Sequence, residues 1–548
     1  MKKIFAILLA VLMLLPCIVS CSKTPEDPDE STSSTTESTV NTNPSTNSTN
    51  STNSTNGGST GTTDSTGGTN TTTSTNGGSS SGDINEELEN NPITKWSGST
   101  LNILATVWHE GQEPGAPWAV PELCVKRDGT GYFDNTGFGQ TINSAILERE
   151  DFIKETYGVT LNWINSRTNL ISTLLSEAIV GGSSDEEYHI AMPRMMEVQT
   201  IVGANSIFNL ADREYIDLDR SYYNQVSREA YTVWDKTLFI AGDFSFLDEQ
   251  TSYMVYYNVA MTESEGLKDS FPDLYQKVIE GKWTIDEMTN VAKLVSKNEG
   301  EADWTDADTY GYGTTALSRF FQYSGIQQVQ VNELGQYVVS LNDTRVSTLI
   351  DKMLGIANAN WARTEWDGGY GALQAAFSEG RLLFYTEVVE KSGYFSNQTD
   401  DFKVGVLPAP KLSETQEKYY TPCSYMAVVM CVPKASPDRE MSDYFFEILS
   451  YTGQKYVMKA YRENLVSFLN AETATQSIDI LNNYIFANLC YDQGYMYGWN
   501  GLLTQVQNES YSSGKNNFTS VYNAAIEDVN KVVAIWNLAW LDSNDDVQ

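Results

Sequence analysis

Trp283-Thr284-Ile285-Asp286-Glu287-Met288 opens the stretch that decides the fold, which runs on to Val404-Gly405-Val406-Leu407-Pro408-Ala409-Pro410. Thr284 is placed to cap a helix, and Glu287, three residues on, to reach back to the cap as in a capping box. Ile285, Met288, Ala292 and Val295 then repeat at helical spacing. Tyr370 to Glu379 predicts a second helix, with Gly380 as its stop. Arg381-Leu382-Leu383-Phe384-Tyr385 predicts a strand directly after it, and Phe402 to Leu407 another. Helix and strand alternate here.

Working outward, the same alternation continues toward the N-terminus. Leu101 to Trp108 reads as a buried strand, Ala145 to Tyr157 as a helix stopped by Gly158, and Val159 to Ile164 as a second strand. Leu170 to Val180 reads as a helix, and Tyr188 to Met192 as a third strand. Leu238 to Ala241 and Tyr253 to Tyr257 are further strands, and from Met441 on the chain is mostly helical. Strands alternating with helices argue for an α/β protein with mainly parallel sheets.

Four local patterns carry a resemblance to a known family. Trp283-Thr284-Ile285-Asp286-Glu287 resembles a Trp-Thr-x-Asp-Glu helix start, and Asp308-Thr309-Tyr310-Gly311 an Asp-x-Tyr-Gly turn. Ala376-Phe377-Ser378-Glu379-Gly380-Arg381 resembles an Ala-Phe-x-x-Gly-Lys step into a strand. Val404-Gly405-Val406-Leu407-Pro408-Ala409-Pro410 resembles a Val-Gly-x-x-Pro-x-Pro segment. In this order they resemble the sugar-binding group of extracellular solute-binding proteins that serve ABC importers, the family of maltose-binding protein. The resemblance covers about residues 97–540; the insertion at 109–144 departs from the compact members.

The resemblance implies a two-lobed, type II periplasmic-binding-protein-like fold, each lobe a mainly parallel sheet flanked by helices, with a hinge between. It implies a first lobe at 96–250 that returns at 426–475. Hinge and second lobe would occupy 251–425, and a helical segment, 476–548, would pack mainly on the second lobe. The crossings would lie near Thr251-Ser252 and Ser424-Tyr425, and closure would follow hinge bending around a ligand. The implied partners are a carbohydrate and permease subunits, with the protein a monomer and no cofactor.

A sugar site wants rings to stack on and carboxylates or amides to hydrogen-bond, and in α/β sheets such groups sit past the C-terminal ends of strands. That rule selects Trp108 and His109 after the first strand, Arg194 after the third, and Asp243 after another. In the second lobe it selects Tyr385 and Glu387, where the family carries an aromatic binding segment. Tyr497 and Trp499 lie in a Gly/Tyr-rich loop where the family places a stacking ring. Each has a plainer alternative: Trp and Tyr as core, Asp243 and Glu387 as caps or solvated groups, Arg194 paired with nearby acids, His109 as structural. Asp303, Asp306 and Asp308 form an acidic cluster whose spacing does not match a calcium loop; a solvated turn is the simpler reading.

The N-terminus reads as an export signal. Lys2 and Lys3 precede an apolar run from Phe5 to Leu15, too short to span a bilayer. Ile18-Val19-Ser20-Cys21 resembles a bacterial lipobox, which implies a signal peptide at 1–20 and a lipid anchor on Cys21, hence a place on the extracellular face of the cell membrane. The alternative is an ordinary secretory signal. Residues 21–95 are dominated by Ser, Thr, Asn and Gly and predict a flexible tether with a reach of roughly 45 Å.

A net charge of -36, from 71 acidic and 35 basic residues, excludes a nucleic-acid binder, which needs a basic face. Cys423 and Cys431 flank an expected strand of roughly 26 Å, too long for a disulfide between them; pairing through Cys124 or Cys490 and free buried thiols both stay open. No serine-hydrolase, zinc-protease or nucleotide-binding motif is present, so no enzyme is expected. Two alternatives to transport stand beside the main reading: a surface carbohydrate-binding or sensory module, and a glycosidase, since acidic residues in such number can always supply a catalytic pair.

Overall fold

The computed structural model describes residues 85–106, 120–123, 125, 137–166, 171–179, 187–264, 271–300, 303–315, 317–341, 344–364, 369–398, 402–467, 474–491 and 502–543. Two sheets organise them.

The first begins with β1 (Thr100–Thr106), helix α1 (Gly137–Tyr157), β2 (Thr160–Ser166), helix α2 (Ile171–Ile179) and β3 (Ile190–Met192). β1 lies between β2 and β3 and pairs with both in parallel, Ile103 facing Trp163 on one side and Ile190 on the other. Residues 427–433 return from far along the chain to extend this sheet: Ala191 bridges Cys431 and Arg194 bridges Val428, both antiparallel, and Ile240 bridges Met430 on the far side. The two-residue period of extended chain sorts the side chains. Leu101, Ile103, Ala105, Ile190, Met192, Val428, Met430 and Val432 enter one buried cluster. Leu104, Ala191, Ala427, Val429 and Cys431 enter a second, on the opposite face.

Helix α1 starts at Gly137, eight residues before the expected Ala145. Gly137 and Gly139 are poor helix formers, yet Ile142, Ile146, Arg149, Ile153 and Tyr157 are all buried at three- and four-residue spacing; tertiary burial overrides propensity. Leu238 to Ala241, expected as a strand, contributes only the single bridge at Ile240. Beside these elements lie the short helix α3 (Val198–Gly203) and a hairpin of β4 (Thr232–Val233) and β5 (Lys236–Thr237).

The chain leaves through a helical turn, α4 (Leu247–Gln250), and enters the second sheet at β6 (Tyr253–Asn258). Then come α5 (Ile285–Val295), β7 (Tyr310–Thr314), α6 (Phe320–Tyr323), a hairpin of β8 (Val329–Val331) and β9 (Tyr337–Val339), and α7 (Arg345–Ala357). β10 (Ala362–Thr364), α8 (Gly369–Ser378), β11 (Leu382–Val388) and β12 (Val404–Leu407) complete it. The strand order is β10-β7-β11-β6-β12. β10, β7 and β11 run parallel, while β6 is antiparallel to both its neighbours. β6 carries the chain away from the first sheet, so it starts where β11 ends: Tyr253 faces Val388.

The expected capping box is half made. The Thr284 hydroxyl accepts from the Glu287 amide at 3.2 Å. Glu287, however, is paired with Lys277 at 2.8 Å rather than reaching back to the cap; a nearby ammonium is the stronger partner for a carboxylate. Gly380 ends α8 at a φ of 74°, as a helix stop requires.

β13 (Thr421–Pro422) precedes the return to the first sheet; α9 (Arg439–Thr452) and α10 (Lys459–Ser467) follow it, separated by a π-helical turn at Gly453–Met458. β14 (Leu489–Cys490), α11 (Leu502–Ser513) and α12 (Phe518–Leu541) end the described chain. α11 packs on α7. α12 starts beside them and departs from the expected second-lobe packing in its last turns. There Val533, Trp536 and Trp540 join Phe239 and Ile201 in the cluster behind the first sheet. No helix among the described residues is long and apolar enough to cross a membrane.

Candidate functional site

Two passages of the chain between the sheets lie between Ile240 and Tyr253 and between Leu407 and Ala427. The C-terminal ends of β3, β7 and β11 all point to these crossings. Ser252 accepts the Val389 amide through its carbonyl at 2.9 Å, and Met195 donates its amide to the Ala427 carbonyl at the same distance. Open α/β sheets bind ligands at such a place.

From the first sheet comes Arg194, the second residue after β3 and fully buried. Its guanidinium Nη1 donates to the Met426 carbonyl at 2.6 Å, and its backbone amide donates to Glu197 Oε2 at 3.0 Å. From the second sheet comes Glu387, near the end of β11. Its Oε2 accepts from the Tyr385 hydroxyl at 3.1 Å and lies 3.4 Å from Thr315 Oγ1, just past β7; its Oε1 accepts the Val388 amide at 2.9 Å. Burial pushes the Glu387 carboxyl above its ordinary value, and the bonds from Val388 and Tyr385 pull partly back.

Between them stand two rings and a cation. Tyr253 opens β6, and Tyr425 sits on the return crossing. The Arg319 guanidinium carbon lies 5.1 Å from the Tyr253 ring centre and 6.0 Å from that of Tyr425, within cation–π range. The arrangement offers guanidinium donors, a carboxyl acceptor, hydroxyls and ring faces to a hydroxylated ligand.

Of the residues selected from sequence, the crossing brings Arg194 and Glu387 into one region. Tyr385 is next to Glu387, but its ring is fully buried against Phe377 and Phe395, so the core occupies both it and its surroundings. Trp108, His109, Tyr497, Trp499 and the lipidation candidate Cys21 lie outside the described residues. Tyr253, Tyr425, Arg319 and Thr315 were not selected. Arg319 and Thr315 follow β7, whose sequence Tyr-Gly-Tyr-Gly-Thr does not read as a strand, so the strand-end rule had nothing to act on. The two tyrosines adjoin the expected crossings, a signal that was available.

Asp243 lies earlier on the first of these crossings. It belongs to a buried acidic cluster beside α4, facing the π-helical turn and α10. Its Oδ2 accepts from Gln454 at 2.7 Å, and Arg462 reaches it at 3.9 Å while holding Glu249 at 2.5 Å. Asp248 accepts from the Tyr491 hydroxyl at 2.9 Å. Burial raises Asp243 to about 6 and Asp248 to about 7. As pH falls through 7, the folded protein takes up a proton at Asp248 that the unfolded chain refuses until near 3.8, so this group adds stability on acidification. Asp248→Asn can keep its oxygen on the Glu249 amide and turn its own amide toward the Tyr491 hydroxyl, which then accepts. It should stabilise the protein at pH 8 by on the order of 2 kcal/mol and flatten the rise from pH 8 to 5. Denaturant melts at the two pH values check this; an unchanged slope refutes it.

The remaining candidates are structural. Asp308 is buried and accepts the Glu299 and Thr305 amides at 2.7 and 2.5 Å, so it ties a turn together. Among the described residues no group of His, Cys, Asp and Glu is arranged to hold a metal. His189 accepts the Asn102 amide at 3.1 Å, and burial lowers its pKa. Cys423 and Cys431 are free and buried, and Cys490 is buried as well. Pro422 faces Cys490 in a parallel pair, so neighbouring Cys423 points to the opposite face from Cys490. Cys124 lies outside the described residues.

No protein-family model matches the sequence, and no curated protein matches it. Solved structures do match in fold. A cyclic alpha-maltosyl-1,6-maltose binding protein from Arthrobacter globiformis aligns over 79% of this chain and 98% of its own, with a TM-score of 0.52 and 12% identity. A cyclo/maltodextrin-binding protein complexed with maltotetraose aligns over 79% of this chain and 97% of its own, with a TM-score of 0.50 and 11% identity. The fold is that of the two-lobed, periplasmic-binding-protein-like proteins.

Proposed function

We propose that this protein is an extracellular solute-binding protein that captures a mono- or oligosaccharide between its lobes and passes it to the permease of an ABC transporter. We place the hinge at Thr251-Ser252 and Ser424-Tyr425, the first lobe at 96–250 and 426–475, and the ligand against Arg194, Tyr253, Arg319, Glu387 and Tyr425. The loops that carry Trp108, His109, Tyr497 and Trp499 would supply further stacking and hydrogen-bonding groups. The observation that carries this reading is the convergence of strand ends from both sheets on one double crossing lined by rings, guanidinium groups and a carboxyl. The solved structures of like fold, both named for maltose-based oligosaccharides, support the ligand class.

The lipobox-like Ile18-Val19-Ser20-Cys21 and the Ser-, Thr-, Asn- and Gly-rich stretch after it support anchoring at the outer face of the cell membrane, which would hold the binding lobes near the permease. The expected tether ends earlier than residue 95, since Asn85–Asn90 is a helix and Leu88 and Ile93 pack against the core.

The test is a titration of the protein with maltose, maltotetraose, raffinose and a galacturonate oligomer. A cognate saccharide at a hundredfold excess over its Kd should stabilise the fold by about 2.7 kcal/mol and reduce the separation between lobes. The Cys21→Ser protein should leave the membrane fraction and titrate identically. No stabilisation by any saccharide at millimolar concentration would sink the ligand class; a membrane-bound Cys21→Ser protein would sink the anchor.

A further inference from the structure

Three elements meet behind the first sheet, and they come from both halves of the molecule. The β4–β5 hairpin leads straight into residue 240, which bridges the first sheet. The β8–β9 hairpin is strung between α6 and α7, among the elements of the second sheet. α12 begins on those elements too: Asn516, just ahead of it, donates to Ser347 and Asp351 of α7 at 2.9–3.0 Å. Its 24 residues give a rod of about 36 Å, long enough to end on the other lobe.

The ends are fastened closely. The Trp234 amide, in the β4–β5 turn, donates to the Gly335 carbonyl of the β8–β9 turn at 2.8 Å. Trp234 and Asp235 both hold positive φ, 54° and 58°, a conformation that side chains other than glycine rarely adopt. Asn537 of α12 accepts the Tyr337 amide and donates to the Tyr337 carbonyl, each at 2.9 Å. Lys236 places its ammonium on the carbonyls of Trp540, Leu541 and Ser543 at 3.0–3.1 Å. Trp540 and Leu541 hold the last carbonyls of the helix and Ser543 lies just past it, where a cation satisfies orphan acceptors and meets the negative end of the dipole. Trp540 is wholly buried between Phe239 of the first lobe and Tyr337 of the β8–β9 hairpin.

We propose that this junction is a latch. It joins the lobes by side-chain and backbone contacts in addition to the chain crossings and fixes the lobe spacing of the unliganded protein. The proposal rests on the fold alone and not on the identity of the ligand. Its strongest element is the Lys236 ammonium, because three charge-assisted bonds end on one side chain. Asn537 is the second.

The test is single-molecule energy transfer in the full chain without ligand. Fluorophores are placed through unnatural amino acids at Glu155 of α1 and Lys293 of α5, both exposed. The parent should show one dominant transfer efficiency. Lys236→Ala should raise the population away from that peak about tenfold. Asn537→Asp, which keeps the acceptor for Tyr337 but loses the donor, should shift it in the same sense by less. If Lys236→Ala fails to fold, Asn537→Asp decides. Parental distributions in every variant that keeps the parental circular dichroism would overturn the latch.

Discussion

Replacing Arg149 with alanine should cost about 3–5 kcal/mol of stability, the toll of stripping a buried charge of its partner. Arg149 lies on α1, and its Nη1 reaches Glu122 Oε1 at 2.9 Å with both side chains all but inaccessible. Its guanidinium also lies 5.5 Å from the Trp163 ring centre. Glu122 belongs to the turn at Pro121–Leu123, and Val120 donates its amide to the Thr106 carbonyl at 3.3 Å, which ties the turn to the end of β1. Trp108 and His109 lie in the sequence between these two points. If they contact ligand as proposed, the alanine variant should lose ligand affinity as well as stability. Exchanging both partners, Arg149→Met with Glu122→Leu, removes the desolvation of two ions and should return most of the loss. Chemical denaturation of the two variants checks this; a cost below about 1 kcal/mol for Arg149→Ala would show that water reaches the pair.

Gly311→Ala is the second large effect. A Cβ on Gly311 would stand 2.1 Å from the Ala292 carbonyl oxygen and 2.6 Å from the Ala292 Cα. These are backbone atoms of α5, so nothing flexible can yield, and helix and strand must separate. The expected cost is at least about 3 kcal/mol, at the upper end for overpacking. Gly355→Ala is the control: on α7 an added Cβ meets nothing within 4 Å, and the change should stabilise by about 0.5–1 kcal/mol. Thermal melts of both would settle it, and equal effects would refute the clash. Because β7 ends at Thr314, beside Glu387, a displaced β7 should also weaken ligand binding.

Gly311 shows what the sequence could and could not reveal. Asp308-Thr309-Tyr310-Gly311 was readable as a pattern, but its cause is spatial: Asp308 ties the turn and Gly311 admits the helix. Strands rich in apolar and aromatic residues, such as β1 and β6, were legible because most of their side chains are buried. β7 was not, since its glycines serve packing against a helix and carry no pattern of their own. Of the proposed ligand contacts, Arg194 was readable by its place after β3 and Glu387 by its place near the end of β11. Arg319 was hidden with β7, and Tyr253 and Tyr425 act through the crossing rather than through any strand end. Asp243 met the same rule as Arg194, yet it faces the π-helical turn, which no local signal announces.

The pairing of Ala191 with Cys431 spans 240 residues. A chain that emerges N-terminus first thus holds β1, β2 and β3 with one edge of their sheet open until most of its length has appeared. So large a sequence separation favours slow folding, and it leaves an unpaired edge for other chains to find in the meantime. If the chain is exported as proposed above, the delay is useful: the element that completes the first sheet arrives among the last, so compaction before export is held off by the order of the chain itself.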